Sequence, residues 1–219
     1  KHKNIFTLGE FQVLPWELIE ARQNCGCGVP VSECKFWRPI IQKNKELLFN
    51  GYIHYFRAGY GVKKIVRLKN LLNLINKEKI HEYGKQNWRI MNDVRKLLNE
   101  NKKLWLVDAS KDPYRLKWLK KSGYFSIIVL HILKDPRAYV YSMTKRQKGR
   151  ARLLKSSRMG LRWVIENKII HFFCKKYFSI NEYITLKYEE LASDPQKTMK
   201  QIFQCIGCDS FDYSINDFR

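Results

Sequence analysis

Apolar positions along this chain fall into two patterns. Nearly continuous runs at Leu104 to Val107, Phe125 to Leu133 and Tyr183 to Leu186 predict strands of a parallel sheet covered on both faces. Between them the apolar residues recur at helical spacing. Tyr114 to Lys121 predicts a helix stopping near Gly123, and Pro195 to Ile206 predicts another, closed by Gly207 as a left-handed cap. Leu161, Val164, Ile165, Ile169, Phe172 and Phe173 mark one face of an amphipathic helix and read as core contacts. Phe36 to Asn101 reads as mostly lysine-rich amphipathic helix, with Leu68, Leu71, Leu72 and Ile75 at helical spacing. Such an insertion between strands often covers an acceptor site.

A device recurs. Asp112-Pro113, Asp135-Pro136 and Asp194-Pro195 each set a capping carboxylate before a helix-starting proline. The first two follow strand-like runs directly, and the third follows after K-Y-E-E-L-A-S. Strand, turn, helix, with no solenoid repeat or low-complexity linker, predicts one α/β domain over residues 1–219, a parallel β-sheet flanked by helices.

Composition changes this picture little. The 219 residues and 45% hydrophobic content suit a globular core. No apolar run approaches the roughly 18 residues of a membrane span, and K-H-K-N-I-F has no signal-peptide core. The default compartment is the cytoplasm, with an anchor ahead of this segment as the alternative.

Charge changes it more. The net charge of +22 implies an anionic partner: a nucleotide, an acidic glycan or peptide, nucleic acid or a membrane surface. Solvated lysine-rich faces are the bland source of the excess. The densest stretch is Lys145, Arg146, Lys148, Arg150, Arg152, Lys155, Arg158 and Arg162, with no acidic residue before Glu166. It is the best candidate for an anion-facing surface.

The six cysteines divide into C-G-C-G-V-P-V-S-E-C (Cys25, Cys27, Cys34) and the scattered Cys174, Cys205 and Cys208. The Cys-x-Cys spacing is poor for zinc, which normally takes four ligands in Cys-x-x-Cys pairs. A local disulfide, or a tight Gly-rich turn with buried thiols, is the expectation, with no metal and no catalytic cysteine.

Ligands of parallel α/β sheets bind beyond the carboxyl ends of the strands. Three sets fall there: D-A-S-K-D-P with Lys111 before a helix start; Lys134 with Ser142 eight residues on and Arg146 one helical turn further; and K-Y-E-E-L with Tyr188 after a strand. Cations, a helix start and a hydroxyl suit a phosphate, and an aromatic ring suits a purine. Each has a plainer reading: Lys111 as a solvated loop lysine, Ser142 as a packing residue, Tyr188 as core, Glu189 and Glu190 as capping or salt-bridging groups.

Taken in order, F-T-L-G-E-F, C-G-C-G-V-P-V-S-E-C-K-F-W, W-L-V-D-A-S-K-D-P-Y-R-L, I-V-L-H-I-L-K-D-P-R-A-Y-V-Y-S, W-V-I-E-N and Y-I-T-L-K-Y-E-E-L-A-S-D-P resemble the PAPS-dependent sulfotransferase family, bacterial members and tyrosylprotein-type enzymes above all. The resemblance runs from Ile5 to about Cys208. It implies a P-loop nucleoside triphosphate hydrolase-like fold and sulfonate transfer from 3′-phosphoadenosine 5′-phosphosulfate (PAPS) to a hydroxyl or amine, without a metal. It assigns Lys134 and Ser142 to the 3′-phosphate, Arg146 to a further basic contact, and Tyr188 to the adenine. Lys111 would stabilise the transferring sulfonate or leaving oxygen, and Glu10 would be the general base.

The sequence also departs from that family. The N-terminal Gly-x-x-Arg-Ser-Gly-Ser/Thr-Ser/Thr turn and its strand are missing, a closing segment after Asp209 is unrecognisable, and Lys134 replaces the usual arginine. The expectation is a sulfotransferase truncated at both ends, with an inactive nucleotide-binding fragment that binds PAPS poorly for want of the first strand as the alternative. Two rivals come from other classes. A nucleic-acid-binding protein using Lys145 to Arg162 needs interleaved aromatic residues, and only Trp163 is present. A P-loop nucleotide kinase needs a Walker lysine loop that this chain lacks.

Overall fold

The structure is a computed structural model that describes residues 4–16, 23–52, 67–99 and 104–208. The expected closing segment after Asp209 and part of the Phe36 to Asn101 region lie outside the described residues. The chain divides into two compact units, Lys1–Ser126 and Ile127–Arg219.

In the first unit β1 (Ile5–Gly9), a strand that the apolar pattern does not predict, pairs in parallel with β2 (Trp105–Asp108). Ile5 lies opposite Trp105 and Thr7 opposite Val107, and the register slips between Thr7 and Gly9. Between the strands come α1 (Trp37–Lys43), α2 (Lys45–Asn50), the single turn α3 (Leu68–Leu71) and the long α4 (Lys77–Asn99). The predicted helix through Leu72 and Ile75 is cut short. Asn73 takes a left-handed conformation (φ 60°) and Leu72 is exposed.

The core of this unit joins Leu8, Phe11 and Leu14 to Val31, Cys34 and Trp37, closed from the other side by Ile90 and Val94 of α4. Phe11, Leu14 and Ile90 are fully buried, each contributing about 1.5–3 kcal/mol. After β2, Asp112 accepts hydrogen bonds from the amides of Tyr114 and Arg115 and starts α5 (Pro113–Ser122), which Gly123 closes as predicted. Helix α5 lies against α4. A Cβ on Gly84 would collide with Ser122, so glycine lets the helices approach this closely. Tyr83 meets Trp118 edge-on there, ring centroids 5.4 Å apart.

In the second unit β3 (Val129–Leu133) pairs in parallel with β4 (Tyr183–Lys187), Val129 opposite Tyr183 and Leu133 opposite Lys187. The connection carries α6 (Pro136–Thr144) and the 29-residue α7 (Gly149–Tyr177); α8 (Tyr188–Ser193) and α9 (Pro195–Cys205) follow β4. Asp135 caps α6 through Arg137 and Ala138, and Asp194 caps α9 through Lys197. All three Asp-Pro signals therefore start helices, and Gly207 ends α9 at φ 65°.

Three expectations are corrected. Where one parallel sheet was expected, the described strands hydrogen-bond as a parallel pair within each unit, β1 with β2 in the first and a second pair in the other. The strand expected from Phe125 begins only at Val129, and it is not buried on both faces. His131 is buried while Leu130 and Ile132 are exposed. Finally, α7 buries Met159, Ile169, Phe173 and Cys174, whereas Leu161, Val164 and Phe172 are exposed. Ile169 and Phe173 keep the predicted side, but polar Asn167 also faces inward, its Oδ1 2.8 Å from His131 Nε2. An apolar tally cannot register a stripe organised around an amide.

Candidate functional site

Glu10 follows β1 and Lys111 lies three residues beyond β2, so strand pairing brings both to the same carboxyl end. Lys111 Nζ stands 2.5 Å from Glu10 Oε1. The lysine side chain is 82% exposed and the glutamate 38%, which leaves both open to an incoming ligand. The two residues that the resemblance selects, from opposite ends of the first unit in sequence, are thus in contact.

Beneath the pair the loop is braced by groups that sequence reasoning missed. Asp108 Oδ1 accepts from the Ser110 amide at 2.9 Å, and Ser110 Oγ accepts from the Gln12 amide at 3.1 Å, two residues past Glu10. Asp108 Oδ2 receives Arg115 Nη2 at 2.6 Å and Nε at 3.1 Å. Arg115 Nη1 donates to Asn87 Oδ1 at 2.8 Å and to the Tyr83 hydroxyl. The Arg115 side chain is 2% exposed. Burial alone would raise the Asp108 carboxyl, but the Arg115 guanidinium and the Ser110 contacts hold it below the ordinary aspartate range. Burial pushes the Tyr83 phenol up to about 12. The available signal was the arginine after D-A-S-K-D-P, seven residues beyond Asp108 and one turn into a capped helix.

At the end of β3, the Lys134 ammonium sits 5.0 Å from the centroid of Tyr188, the first residue after β4. This is the geometry of a cation over a ring face. Asp135 donates its amide to Glu189 Oε1 at 2.9 Å, and Lys187 lies 3.7 Å from Glu190, so the two glutamates act as bracing groups. The Arg137 side chain and amide, with the Ala138 amide, hold the Asp135 carboxyl at about 2.

Ser142 and Arg146 do not join Lys134 in that contact. Ser142 Oγ donates to the Tyr139 carbonyl of its own helix at 2.7 Å. Arg146 is exposed and lies in the turn after α6, not on a helical face with Ser142. The helix ends at Thr144, whose buried hydroxyl bonds back to Val140 and whose carbonyl receives the Gln147 amide at 2.9 Å.

Sequence reasoning also missed a cleft of about 410 Å³ between α6 and α7, lined by Arg137, Val140, Tyr141, Thr144, Arg152 and Ser156. Arg152 stacks over Tyr141 there, 5.6 Å from the ring centroid. The i, i+4 repeat of Arg137 and Tyr141 was the legible sign. Cys25, Cys27 and Cys34 are drawn together as well, with their sulfurs within 4.8 Å of one another. No disulfide joins Cys25, Cys27 or Cys34, so the local disulfide considered from the sequence is not formed.

No protein-family profile matches the chain. No curated protein matches it in sequence. Among solved structures it is similar to the sulfotransferase domain from the Synechococcus PCC 7002 olefin synthase, at 16% identity and TM-score 0.45, covering 97% of this chain and 76% of that one. At that level the likeness assigns no residue and no activity. No helix among the described residues is long and apolar enough to cross a membrane.

Proposed function

We propose that residues 1–219 act as one sulfotransferase domain, transferring a sulfonate from PAPS to a hydroxyl or amine on a carbohydrate, peptide or small metabolite. One observation carries the reading: the Glu10–Lys111 ion pair at the carboxyl ends of paired parallel strands. It sits on motifs whose order resembles the bacterial and tyrosylprotein-type enzymes.

Glu10 takes the acceptor's proton as its oxygen bonds to sulfur and the bond from sulfur to the 5′-phosphate oxygen breaks. Lys111 donates to that departing oxygen and neutralises the charge it gains. Separating the resting ion pair costs little, because an exposed pair contributes at most about 1 kcal/mol.

In the second unit, Lys134 offers its ammonium to the 3′-phosphate and Tyr188 its ring to the adenine. The Ser142 hydroxyl turns from the Tyr139 carbonyl toward the phosphate, and Arg146 adds charge from its turn. The charge of +22 favours an acidic acceptor.

The full chain, assayed by calorimetry against adenosine 3′,5′-bisphosphate and by radiolabelled PAPS with hydroxyl acceptors, should bind and transfer. Lys134→Ala and Ser142→Ala should each weaken nucleotide binding about tenfold or more, the loss of a hydrogen bond to a charged group. Unchanged affinity in both variants would refute the nucleotide assignment. Salt-sensitive binding of nucleic acid without nucleotide affinity would replace it.

A further inference from the structure

The loop from Gln23 to Cys34 folds back on itself more tightly than its glycines require. The Cys25 amide donates to the Val29 carbonyl at 2.8 Å, the Gly28 amide to the Cys25 carbonyl at 2.8 Å, and the Val31 amide to the Gln23 carbonyl at 3.1 Å. Gly28 turns the chain at φ 92°, a conformation that side chains rarely adopt. The result returns Cys34 to Cys25 and Cys27. Cys27 Sγ lies 3.6 Å from Cys34 Sγ, and all three sulfurs lie within 4.8 Å of one another.

That spacing is wrong for a disulfide and right for shared ligands. A disulfide brings two sulfurs to about 2.0 Å and leaves the third unmatched. Two thiolates bound to one tetrahedral zinc at about 2.3 Å stand roughly 3.8 Å apart. The surroundings also suit thiolates. Backbone amides of Trp37 and Phe36 are directed at Cys34 sulfur and that of Cys27 at Cys25 sulfur, the outer hydrogen bonds that steady metal-bound sulfur. Cys34 is buried, Cys25 half-buried and Cys27 exposed, so the tripod opens to solvent on one side.

We propose that Cys25, Cys27 and Cys34 bind one Zn²⁺ as three thiolates, with water or a small anion in the fourth position. Binding releases the thiol protons and involves no redox step. Cys34 belongs to the core cluster with Leu8, Phe11 and Trp37, and Cys25 packs against it. The ion therefore staples the loop to the core from which Glu10 emerges, a structural role independent of any sulfonate transfer.

Full-length protein stripped with chelator under reducing conditions should take up about one Co²⁺ or Zn²⁺ per chain. The Co²⁺ form should show sulfur-to-metal charge-transfer absorption and the visible bands of tetrahedral coordination. Cys27→Ser, at an exposed position that folding tolerates, should lower affinity by more than the roughly 10–100-fold lost with an outer-shell partner. Cys34→Ser should do the same, while the exposed Cys205→Ser should change nothing. Zn²⁺ should also protect three thiols of the wild-type chain from a thiol reagent. Co²⁺ without charge-transfer absorption, thiols that react equally with and without Zn²⁺, or a native mass two hydrogens lighter from a Cys27–Cys34 disulfide would each overturn the assignment.

Discussion

The two strand ends carry similar chemistry on different foundations. At the end of β2, Asp108 is clasped by a guanidinium sealed from water, Ser110 Oγ accepts from the amide of buried Gln12, and Asp112 pairs with Arg67. At the end of β3, Asp135 is paired with Arg137, whose side chain is 90% exposed, and its amide rests on Glu189 at the surface. Both turns cap a helix, and both place a lysine at the rim. Burial separates them, since a low dielectric makes each bond in the first turn costly to break. Lys111 thus stands on a rigid platform, whereas Lys134 stands on a rim that a ligand can reshape.

Breaking the buried clasp gives the largest effect. Arg115→Met leaves Asp108, Tyr83 and Asn87 facing a thioether, and removing one partner of a buried pair costs about 3–5 kcal/mol. The urea midpoint should fall accordingly. Arg137→Met removes the matching guanidinium in the other unit and should leave the midpoint where it was. Equal losses in the two variants would dissolve the distinction between the turns.

This clasp also marks where the sequence was legible. The Asp-Pro caps, the glycine stops and the order of strands β2, β3 and β4 were readable because each depends on neighbours in sequence. Glu10 and Lys111 were named through resemblance, and only parallel pairing across 101 positions puts them in contact. Strand β1 was passed over because Thr7 and Gly9 break the apolar run of Ile5–Gly9, where Leu104 to Val107 is continuous. Arg115, Asn87 and Asn167 were missed for one reason: a polar residue reads as surface until its buried partner is known. The approach of the three cysteine sulfurs to within 4.8 Å of one another could not be read from the Cys-x-Cys spacing, because it depends on the turn at Gly28.

The next effect is on turnover. Glu10→Gln and Lys111→Ala touch only an exposed pair, so the unfolding midpoint should move little, within about 0.5 kcal/mol. Transfer from labelled PAPS should nevertheless drop about 10²- to 10³-fold in kcat in either variant, the usual loss of a general base or charge-stabilising donor. The double variant should be scarcely slower than the singles, because the two groups act on one step. A large midpoint shift with normal turnover would make the pair a structural bond and return the lysine to its plain reading.

The smallest effect belongs to the second unit, where the buried polar group is neutral rather than paired. His131 Nδ1 lies 2.9 Å from the Tyr183 hydroxyl and Nε2 2.8 Å from Asn167 Oδ1. Burial lowers its pKa from the ordinary 6.5; the Asn167 contact opposes this and nearby His171 adds to it. In the unfolded chain the imidazole takes up its proton near 6.5, and in the folded chain only at lower pH. The contribution of neutral His131 is therefore complete above 6.5 and is lost as pH falls through the folded value. The urea midpoint should decline between those two points with a slope approaching one proton, and His131→Gln should flatten that decline. Arg115→Met should leave it intact, since Asp108, itself depressed, acts only at lower pH by the same sign. A midpoint independent of pH across this window, or an imidazole that titrates at 6.5 by NMR in the folded chain, would mean that α7 does not seal His131 against the sheet.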